Sequence, residues 1–309
     1  MSSARRPLPT DLVALVSFDG RVYPNEAKPL DQLGLNERAH PLETALEQWF
    51  SFATGKHTWV NVRGPTIRGL ISARRRAKPS AWEVEAIIDA DEDKGIALTL
   101  FSRMVADITK RRAERIFLRL DADSGVVDTA RKAGFFPYAR ETLFQRKGRV
   151  ASDVDNVPLR PRTKSDLFGI FQLYGNSAPA NVRAIEGATF REWQAAQETW
   201  GGRTTDLLLE EDGIISAWLR LAAGRIGRFS IMTASSGLAT DELVRACLTR
   251  LSQSKRIQAL VRDDSVSLAR SLLDFGFEPT GSYIALAKRL VKPAEELAPE
   301  SAGTAVPVS

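Results

Sequence analysis

The sequence contains few of the residues that form covalent cross-links or metal sites. Its 309 residues include one cysteine, Cys247, and two histidines, His40 and His57, both near turn-forming residues. A single cysteine excludes an intrachain disulfide and a cysteine-rich zinc site, and carboxylates would have to supply most ligands of any other zinc site. We therefore expect no bound metal and no catalytic histidine.

Long apolar runs are also missing. No segment approaches the roughly 20 apolar residues that cross a bilayer, and the N-terminal residues lack the apolar centre of a signal peptide. The sequence therefore predicts a cytoplasmic protein without a membrane partner.

Excess charge of one sign is small and unevenly placed. The formal net charge is +5, and residues 1–150 carry 25 Lys and Arg against 19 Asp and Glu, whereas residues 151–309 carry 18 against 19. The densest basic stretch, residues 74–78, holds three arginines and a lysine. No aromatic stacking pattern accompanies it, so we interpret it as a solvated hairpin tip and expect no nucleic-acid partner.

The chain contains an internal repeat. Residues 95–97 (Gly-Ile-Ala) open a helix-like run after a strand-like one, and an offset of 142 residues leads to residues 237–239 (Gly-Leu-Ala), which do the same. Three further matches keep this offset or one two residues longer: Asp121 with Asp263, Gly134-Phe135 with Gly276-Phe277, and residues 69–73 with 213–217. A nearly constant offset over this much of the chain predicts two copies of one domain.

Length and repeat together predict two domains of about 150 residues each. We place the N-terminal copy at residues 1–150 and the C-terminal copy at 158–291, because residues 147–157 are polar and aperiodic, as a linker would be. Residues 292–309 are rich in Pro, Ala, Glu and Ser, and we expect them to form a disordered tail.

Hydrophobic periodicity predicts the elements of both copies. Strands are expected at residues 12–18, 58–62, 67–73, 82–88, 116–120 and 141–146, and again at 159–163, 206–210, 214–221, 227–232, 257–261 and 283–288. Helices are expected after residue 41, at 95–110 and at 126–132, and in the second copy at 167–174, at 190–200, from 237 and at 265–274. Thr163 and Asp166 form a candidate capping box, and residues 179–187 are expected to be a loop.

Each copy thus has strands, a central strand, a long helix that begins at a small-residue turn, a strand, a helix ending in Gly-Phe, and a last strand. This order resembles the GNAT superfamily of acyl-CoA-dependent N-acyltransferases. The resemblance covers nearly the whole chain twice, as in tandem members with the mycothiol-synthase layout, and its best-matched pieces are residues 159–166 and the two Gly-Phe endings. It implies an α/β fold of two tandem GNAT-like domains, each a mixed, V-shaped sheet flanked by helices.

The resemblance also implies a site for acetyl-CoA as co-substrate, without a metal. The family's phosphate loop, Gln/Arg-x-x-Gly-x-Gly/Ala, falls on residues 92–97 and 234–239. Small residues at a helix N-terminus let backbone N–H groups approach a pyrophosphate closely. The candidate cofactor-binding residues are Gly95, Ile96 and Ala97 in the first copy, and Ser235, Ser236, Gly237, Leu238, Ala239 and Thr240 in the second.

The two loops differ in charge. Asp91, Glu92 and Asp93 precede the glycine in the first copy, where carboxylates would repel a phosphate and would themselves satisfy the helix N-terminus. No acid immediately precedes Gly237, although the serines there also fit an ordinary helix cap. If either copy binds acyl-CoA, we expect it to be the second.

The catalytic groups of the family are only partly present. Relatives commonly use a carboxylate or a water on the central strands as general base, and a tyrosine four residues before the Gly-Phe as general acid. That tyrosine position holds Ala130 in the first copy and Leu272 in the second. Glu85, with Glu83 two residues away on the same face of the first central strand, is the candidate base. The alternative is that both glutamates face solvent.

Other candidates are weaker. The second copy carries Arg225 and Arg228 where the first has its two glutamates. Tyr138 and Tyr283 lie near the last strands and would be substitute acids, but we interpret both as core residues.

The resemblance places the acceptor substrate near residues 181–186, where Arg183 and Glu186 would select a charged acceptor. Two functions stay open. One is transfer of an acetyl group from acetyl-CoA to an amine of a small molecule or peptide; the other is a non-catalytic GNAT-fold protein that binds a ligand or partner. The missing tyrosines and the acid-lined loop favour the second function, whereas relatives that work without the tyrosine favour the first.

Overall fold

The computed structural model describes residues 3–8, 24–34, 55–63, 66–89, 94–148, 157–234 and 240–290. In these ranges the chain forms one mixed sheet of twelve strands and seven α-helices. The strands are β1 Ser3–Arg5, β2 His57–Arg63, β3 Thr66–Arg75, β4 Ala81–Asp89, β5 Arg115–Asp121, β6 Phe136–Lys147, β7 Arg160–Pro161, β8 Thr204–Glu211, β9 Ile214–Ala222, β10 Ile226–Thr233, β11 Arg256–Arg262 and β12 Glu278–Arg289. The helices are α1 Lys94–Thr109, α2 Val126–Lys132, α3 Leu167–Ser177, α4 Ala180–Glu186, α5 Phe190–Ala196, α6 Thr240–Arg250 and α7 Val266–Asp274, and a 3-10 turn covers Leu30–Gln32.

The two halves of the sheet repeat one topology. In the first half, β2, β3 and β4 form an antiparallel meander, and α1 lies between β4 and the parallel strand β5. In the second half, β8, β9 and β10 form the same meander, and α6 lies between β10 and the parallel strand β11. A short helix, α2 or α7, then leads into the last strand, β6 or β12. The repeat predicted from the sequence is confirmed.

The last strand of each half is exchanged with the other half. β12 pairs antiparallel with β5, with Leu286 opposite Leu118, and β6 pairs antiparallel with β11, with Phe144 opposite Ala259. β6 and β12 also pair with each other, and the strand order is β1-β2-β3-β4-β5-β12-β6-β11-β10-β9-β8-β7. One continuous sheet therefore runs through both halves, and the boundary at residues 147–157 stays a prediction.

Each half has a hydrophobic core beneath the long helix that follows its meander. α1 packs Leu100, Met104 and Ile108 into the first core, at the four-residue spacing of a helix face. Gly69 of β3 allows this helix to lie close to the sheet, because an added Cβ would stand 2.8 Å from Ile96 Cγ2. Apolar spacing and a small strand residue together fix the helix against the sheet.

The exchanged strands complete these cores. Leu286 of β12 is fully buried in the first core, whereas Phe144 of β6 belongs to the second. Cys247 of α6 is also buried in the second core, and burial raises the pKa of its thiol. A neutral buried thiol is a poor nucleophile, so this cysteine is a packing residue.

Within the described ranges, most predicted elements are present, and α2 has the predicted bounds. One predicted loop is wrong: residues 179–187 contain α4, which begins after Pro179 and ends before Gly187. Proline suits the first turn of a helix and glycine its end, so these two residues mark helix boundaries. Val182 packs the helix against Tyr174 and Trp193.

The capping box predicted at the start of the second half needs correction. Thr163 does contact Asp166, from N and Oγ1 at 2.6 and 2.8 Å, but α3 begins only at Leu167 with Asp166 as its N-cap. A reciprocal capping box is formed instead by Thr189 and Glu192, at the start of α5. The predicted strand at 12–18, the helix after residue 41, His40 and the tail at 292–309 lie outside the described residues.

The strand exchange predicts that the two halves stay together after the chain is cut. β6 lies between β11 and β12, and β12 lies between β5 and β6, so each fragment holds a strand between two strands of the other. Cleavage at a protease site inserted in residues 149–156 should leave fragments that co-elute in size-exclusion chromatography and separate only in denaturant. Fragments that separate under native conditions would contradict the exchange.

Candidate active site

Both halves contain a point at which two parallel strands stop pairing. β10 and β11 pair from Ile226 opposite Arg256 to Phe229 opposite Ala259, although both strands continue for three or four residues. β4 and β5 likewise pair only as far as Glu83 opposite Phe117. Diverging parallel strands leave peptide groups that need other partners. Each divergence is therefore a candidate binding cleft.

In the first half, the chain itself fills this cleft. Glu26 N–H donates to Ile87 O and Lys28 N–H donates to Arg119 O, both at 2.9 Å, so residues 24–33 contact both diverging strands. The Asn25 side chain adds two hydrogen bonds, since its Oδ1 accepts from Ile87 N at 3.0 Å and its Nδ2 donates to Glu85 O at 3.1 Å. The peptide groups facing the first cleft are thus bonded to the protein.

In the second half, the divergence opens into a cavity of about 540 Å³. Its walls combine β6, β9, β10 and β11 with α3, α4 and the segment that follows α5. Leu30 and Leu33, from the segment that fills the first cleft, also contribute to the wall. Three tryptophans, Trp193, Trp200 and Trp218, give the cavity an aromatic side. Both halves of the chain therefore build this one cavity.

Beside the cavity runs a chain of buried ion pairs. Arg76 binds Glu83 at 3.0 Å and Glu198 at 3.1 Å, and Arg119 binds Glu198 at 2.6 Å and Glu141 at 2.6 Å. Burial alone would raise the pKa of Glu198, but the Arg119 and Arg76 guanidinium groups hold that pKa below its usual value. Each of these carboxylates is paired with an arginine. Through Glu198, the network fixes the loop after α5 against the sheet.

The two glutamates predicted as bases belong to this network. Glu83 and Glu85 are buried, with 3% and 5% of their surface exposed, so the solvent-facing alternative is wrong. Glu83 lies between Arg74 and Arg76, and Glu85 contacts Lys56 Nζ at 2.8 Å. Neither glutamate is among the described residues that line the cavity.

The same contacts correct the interpretation of the basic stretch. Arg74 and Arg76 are not at a solvated tip: their side chains are 12% and 5% exposed and are held by carboxylates. Only Arg75, Lys78 and their neighbours in the turn face solvent. A strand places alternate side chains on opposite faces, and these two arginines point to the face that carries Glu83 and Glu85.

Glu186 lines the cavity at the end of α4. Tyr174 Oη donates to its carboxylate at 3.4 Å. Burial raises the pKa of Glu186, the Arg262 charge opposes this rise, and the Glu198 and Glu141 charges add to it. Arg183, predicted beside it as a substrate contact, donates to Gly175 O and is not among the described lining residues. Of the two residues predicted to contact the acceptor, Glu186 lines the cavity and Arg183 does not.

Tyr138 and Tyr283 are the candidate substitutes for the general-acid tyrosine of the family. Neither is among the described residues that line the cavity. Tyr138 is partly buried and packs edge-on against Phe117, and this burial raises the pKa of its phenol. Tyr283 is buried with Leu30, Leu33 and Leu143. Ala130 and Leu272, at the family's tyrosine position, are fully buried in the two cores.

The architecture matches solved acetyltransferases. A GCN5-related N-acetyltransferase from Sphaerobacter thermophilus superposes with a TM-score of 0.57 at 14% identity, over 93% of this chain and 95% of that one. The chain has the GNAT fold. A Pyrococcus horikoshii protein assigned as an acetyltransferase superposes with a TM-score of 0.51 at 14% identity, over 94% and 90% of the two chains. No protein-family model and no curated protein matches the sequence.

The GNAT phosphate-loop positions are only partly described. Gly95 lies in the first turn of α1, and Ile96 and Ala97 are buried with 6% and 3% exposure, so both side chains pack on the sheet. Asp91, Glu92 and Asp93, and residues 235–239 of the second loop, lie outside the described residues. Thr240 begins α6 and lines the cavity.

Two absences hold for the described ranges. There, no helix has the length and apolarity to cross a bilayer. No group of three or more His, Cys, Asp or Glu side chains in these ranges is arranged to hold a metal ion.

The raised pKa of Glu186 predicts a pH-dependent effect of Glu186→Gln on stability. A carboxyl whose pKa is higher in the folded than in the unfolded state destabilises the fold once it ionises. The variant should therefore melt at a higher temperature than the unmodified protein at pH 7 to 8, with the difference vanishing near pH 4, where both states hold the proton. Thermal unfolding followed by circular dichroism across this pH range measures the effect.

Glu192→Gln is the matched control. Burial would raise the pKa of Glu192, but the Arg115 charge and the hydrogen bonds from Thr189 lower it overall. Glutamine preserves the capping box but not the ion pair with Arg115. This variant should melt at a lower temperature at neutral pH, opposite in sign to Glu186→Gln. Equal signs for the two variants would contradict the assignment of Glu186.

Proposed function

We propose that the protein transfers an acetyl group from acetyl-CoA to an amine of a small molecule or peptide, in the cleft of its second half. The observation that carries this proposal is the cavity at the divergence of β10 and β11 in a GNAT fold. Beyond Phe229, no strand in the described ranges pairs with the β11-facing edge of β10. Peptide groups on that edge are suited to bind the amides of the pantetheine arm.

The second half is favoured because its cleft is open. Residues 24–33 hold the equivalent space in the first half, and Asn25 bonds both Ile87 and Glu85 there. Acetyl-CoA would have to displace this segment, breaking its hydrogen bonds and exposing the buried Ala27. The predicted acidic cluster at residues 91–93 argues in the same direction.

The residues that would hold the cofactor are those of the second phosphate loop. Ser235, Ser236, Gly237, Leu238 and Ala239 precede α6, whose N-terminal N–H groups and dipole favour an anion. The loop itself contains no acid, unlike residues 91–93 of the first half, although Asp241 and Glu242 follow it in the first turn of α6.

Glu186 is the proposed general base. The acceptor amine must be neutral to attack the thioester carbonyl carbon, and a carboxylate with a raised pKa is a better proton acceptor than an ordinary glutamate. The new C–N bond forms as the C–S bond breaks, CoA leaves as a thiolate, and the amine proton passes to Glu186. A backbone N–H of β10 would polarise the carbonyl oxygen. Glu85 and Glu83 would serve only if the first half were active, and their arginine partners favour Glu186 instead.

A non-catalytic binding role is the second candidate. It is favoured by the absence of a tyrosine at both family positions, Ala130 and Leu272. Release of free CoA thiol in the presence of acetyl-CoA and a panel of amines separates the two functions. An enzyme releases thiol in proportion to the acceptor, whereas a binding protein shows saturable acetyl-CoA binding without release.

One acetyl-CoA per chain is the expected stoichiometry in titration calorimetry. Gly237→Glu should abolish binding, since it places bulk and negative charge against the pyrophosphate. Gly95→Glu, the same change at the equivalent position of the first half, should leave the affinity within a few-fold. Two bound molecules per chain would contradict the closure of the first cleft. Loss of binding only in the Gly95 variant would show that the first cleft, and not the second, binds acetyl-CoA.

The base assignment predicts the acid limb of the pH–rate profile. With a saturating acceptor, turnover should fall as the pH drops through the raised pKa of Glu186, above the ordinary 4.5 of a glutamate. Glu186→Gln should lower kcat by roughly 10²- to 10⁴-fold and remove that limb. An unchanged kcat and profile in the variant would eliminate Glu186 as the base.

A further inference from the structure

Among the residues that the structure describes, four arginines line the cavity, and one of them differs from the rest. Arg76 is paired with glutamates, Arg220 Nε lies 2.7 Å from Asp206, and Arg262 Nε lies 3.1 Å from Asp264. Arg228 has no carboxylate within ion-pair distance among the residues that the structure describes. Within the described residues, its positive charge on the cavity wall therefore has no ion-pair partner.

Neutral groups hold the Arg228 guanidinium in place. Its Nη2 donates to Leu33 O at 2.7 Å, and its Nε donates to Gln258 Oε1 at 3.3 Å. Gln258 is itself buried and donates to Gln145 Oε1 at 3.0 Å. Gly34 permits this arrangement, because a Cβ there would lie 1.8 Å from Gln258 Nε2. The guanidinium is oriented from two sides, and its remaining N–H groups have no partner in the described chain.

An unpaired, half-buried guanidinium is unfavourable in the empty protein. Burial lowers the pKa of Arg228, and only the more distant Asp31 charge opposes this effect. A bound anion would remove the cost, because carboxylates and phosphates form strong two-pronged hydrogen bonds with arginine. Pairing with Arg228 would therefore contribute favourable free energy to the binding of an anionic group in the cavity.

Arg228 is not placed to bind the pyrophosphate of CoA. It lies six residues before Ala234, where the phosphate loop starts, which is about 20 Å along an extended strand. In contrast, Arg228 lines the same cavity as Glu186, the proposed base. Gln258, which contacts Arg228, and Arg262, whose charge acts on Glu186, stand four residues apart on one face of β11, about 13 Å.

We propose that Arg228 binds an anionic group of the acceptor, a carboxylate or a phosphate, and that several bonds separate this group from the amine that reacts. This inference rests on the proposed acetyl transfer and narrows its acceptor. The spacing along β11 favours an ω-amino carboxylate or an aminoalkyl phosphate over an α-amino acid as the acceptor that reaches both Arg228 and Glu186.

The first test does not depend on turnover. Arg228→Met removes a charge that has no ion-pair partner among the described residues and keeps an apolar stem about as long as the arginine chain to Nε, so the empty protein should melt at the same temperature or higher. Arg220→Met is the control, because it leaves Asp206 without one of its partners and should lower the melting temperature. A fall in the Arg228 variant as large as in the Arg220 variant would overturn the proposal and make Arg228 a structural residue.

The second test uses ligands of matched length. ω-Amino carboxylates and ω-aminoalkyl phosphates of four to eight carbons, with the corresponding alkylamines, are added to the full chain with CoA present. One anionic series should raise the melting temperature of the unmodified protein in a saturable way, the alkylamines should not, and Arg228→Met should abolish the shift. The series that raises the melting temperature shows whether the anionic group of the acceptor is a carboxylate or a phosphate. Equal shifts in both proteins, or no shift with either anionic series, would overturn the proposal.

Acetyl-CoA calorimetry on the same preparations separates this inference from the proposed function. Acetyl-CoA binding without an anion-dependent shift would leave the acyltransferase proposal standing and reject the role of Arg228. Absence of acetyl-CoA binding, whatever the anions do, would reject the acyltransferase proposal itself.

Discussion

The divergence of two parallel strands is the constraint on which the rest of this structure depends. Once β10 and β11 separate after Phe229 and Ala259, their facing peptide groups need partners that the sheet does not supply. In the first half, where β4 and β5 separate in the same way, residues 24–33 supply such partners from the same chain. In the second half, the gap stays open as a cavity. A single topology thus gives one closed and one open cleft.

The closed cleft helps to build the open one. Leu30 and Leu33 belong to the segment that fills the first half, yet both line the cavity of the second, and Leu33 O also holds Arg228. The exchange of β6 and β12 brings the two clefts into one sheet. The first half is therefore a wall of the candidate active site, even though its own cleft is filled.

Charge is divided between structure and function on one face of this sheet. Arg76, Arg119, Glu83 and Glu198 satisfy one another in a buried network, where removing one partner would leave a costly unpaired charge. Glu186 keeps a carboxylate with a raised pKa beside the cavity. Ion-paired carboxylates hold the architecture, whereas Glu186, the proposed base, forms no ion pair within the described residues.

The sequence by itself determined the repeat, the order of the elements and the GNAT resemblance. These depend on apolar spacing and on glycine and proline, which act over a few residues, as at α2 and α1. Even the error at α4 was local, because Pro179 and Gly187 suit a helix boundary as well as a loop.

Only the tertiary structure decided which cleft is open and which carboxylates are engaged. Glu83 and Glu85 fit the pattern of a catalytic pair on a central strand, but their partners come from other elements. Arg76 reaches Glu198 across 122 residues of sequence, and Asn25 reaches Ile87 across 62. A motif specifies which residue types are present, whereas the charge state and accessibility of each side chain are set by neighbours that only folding brings into contact.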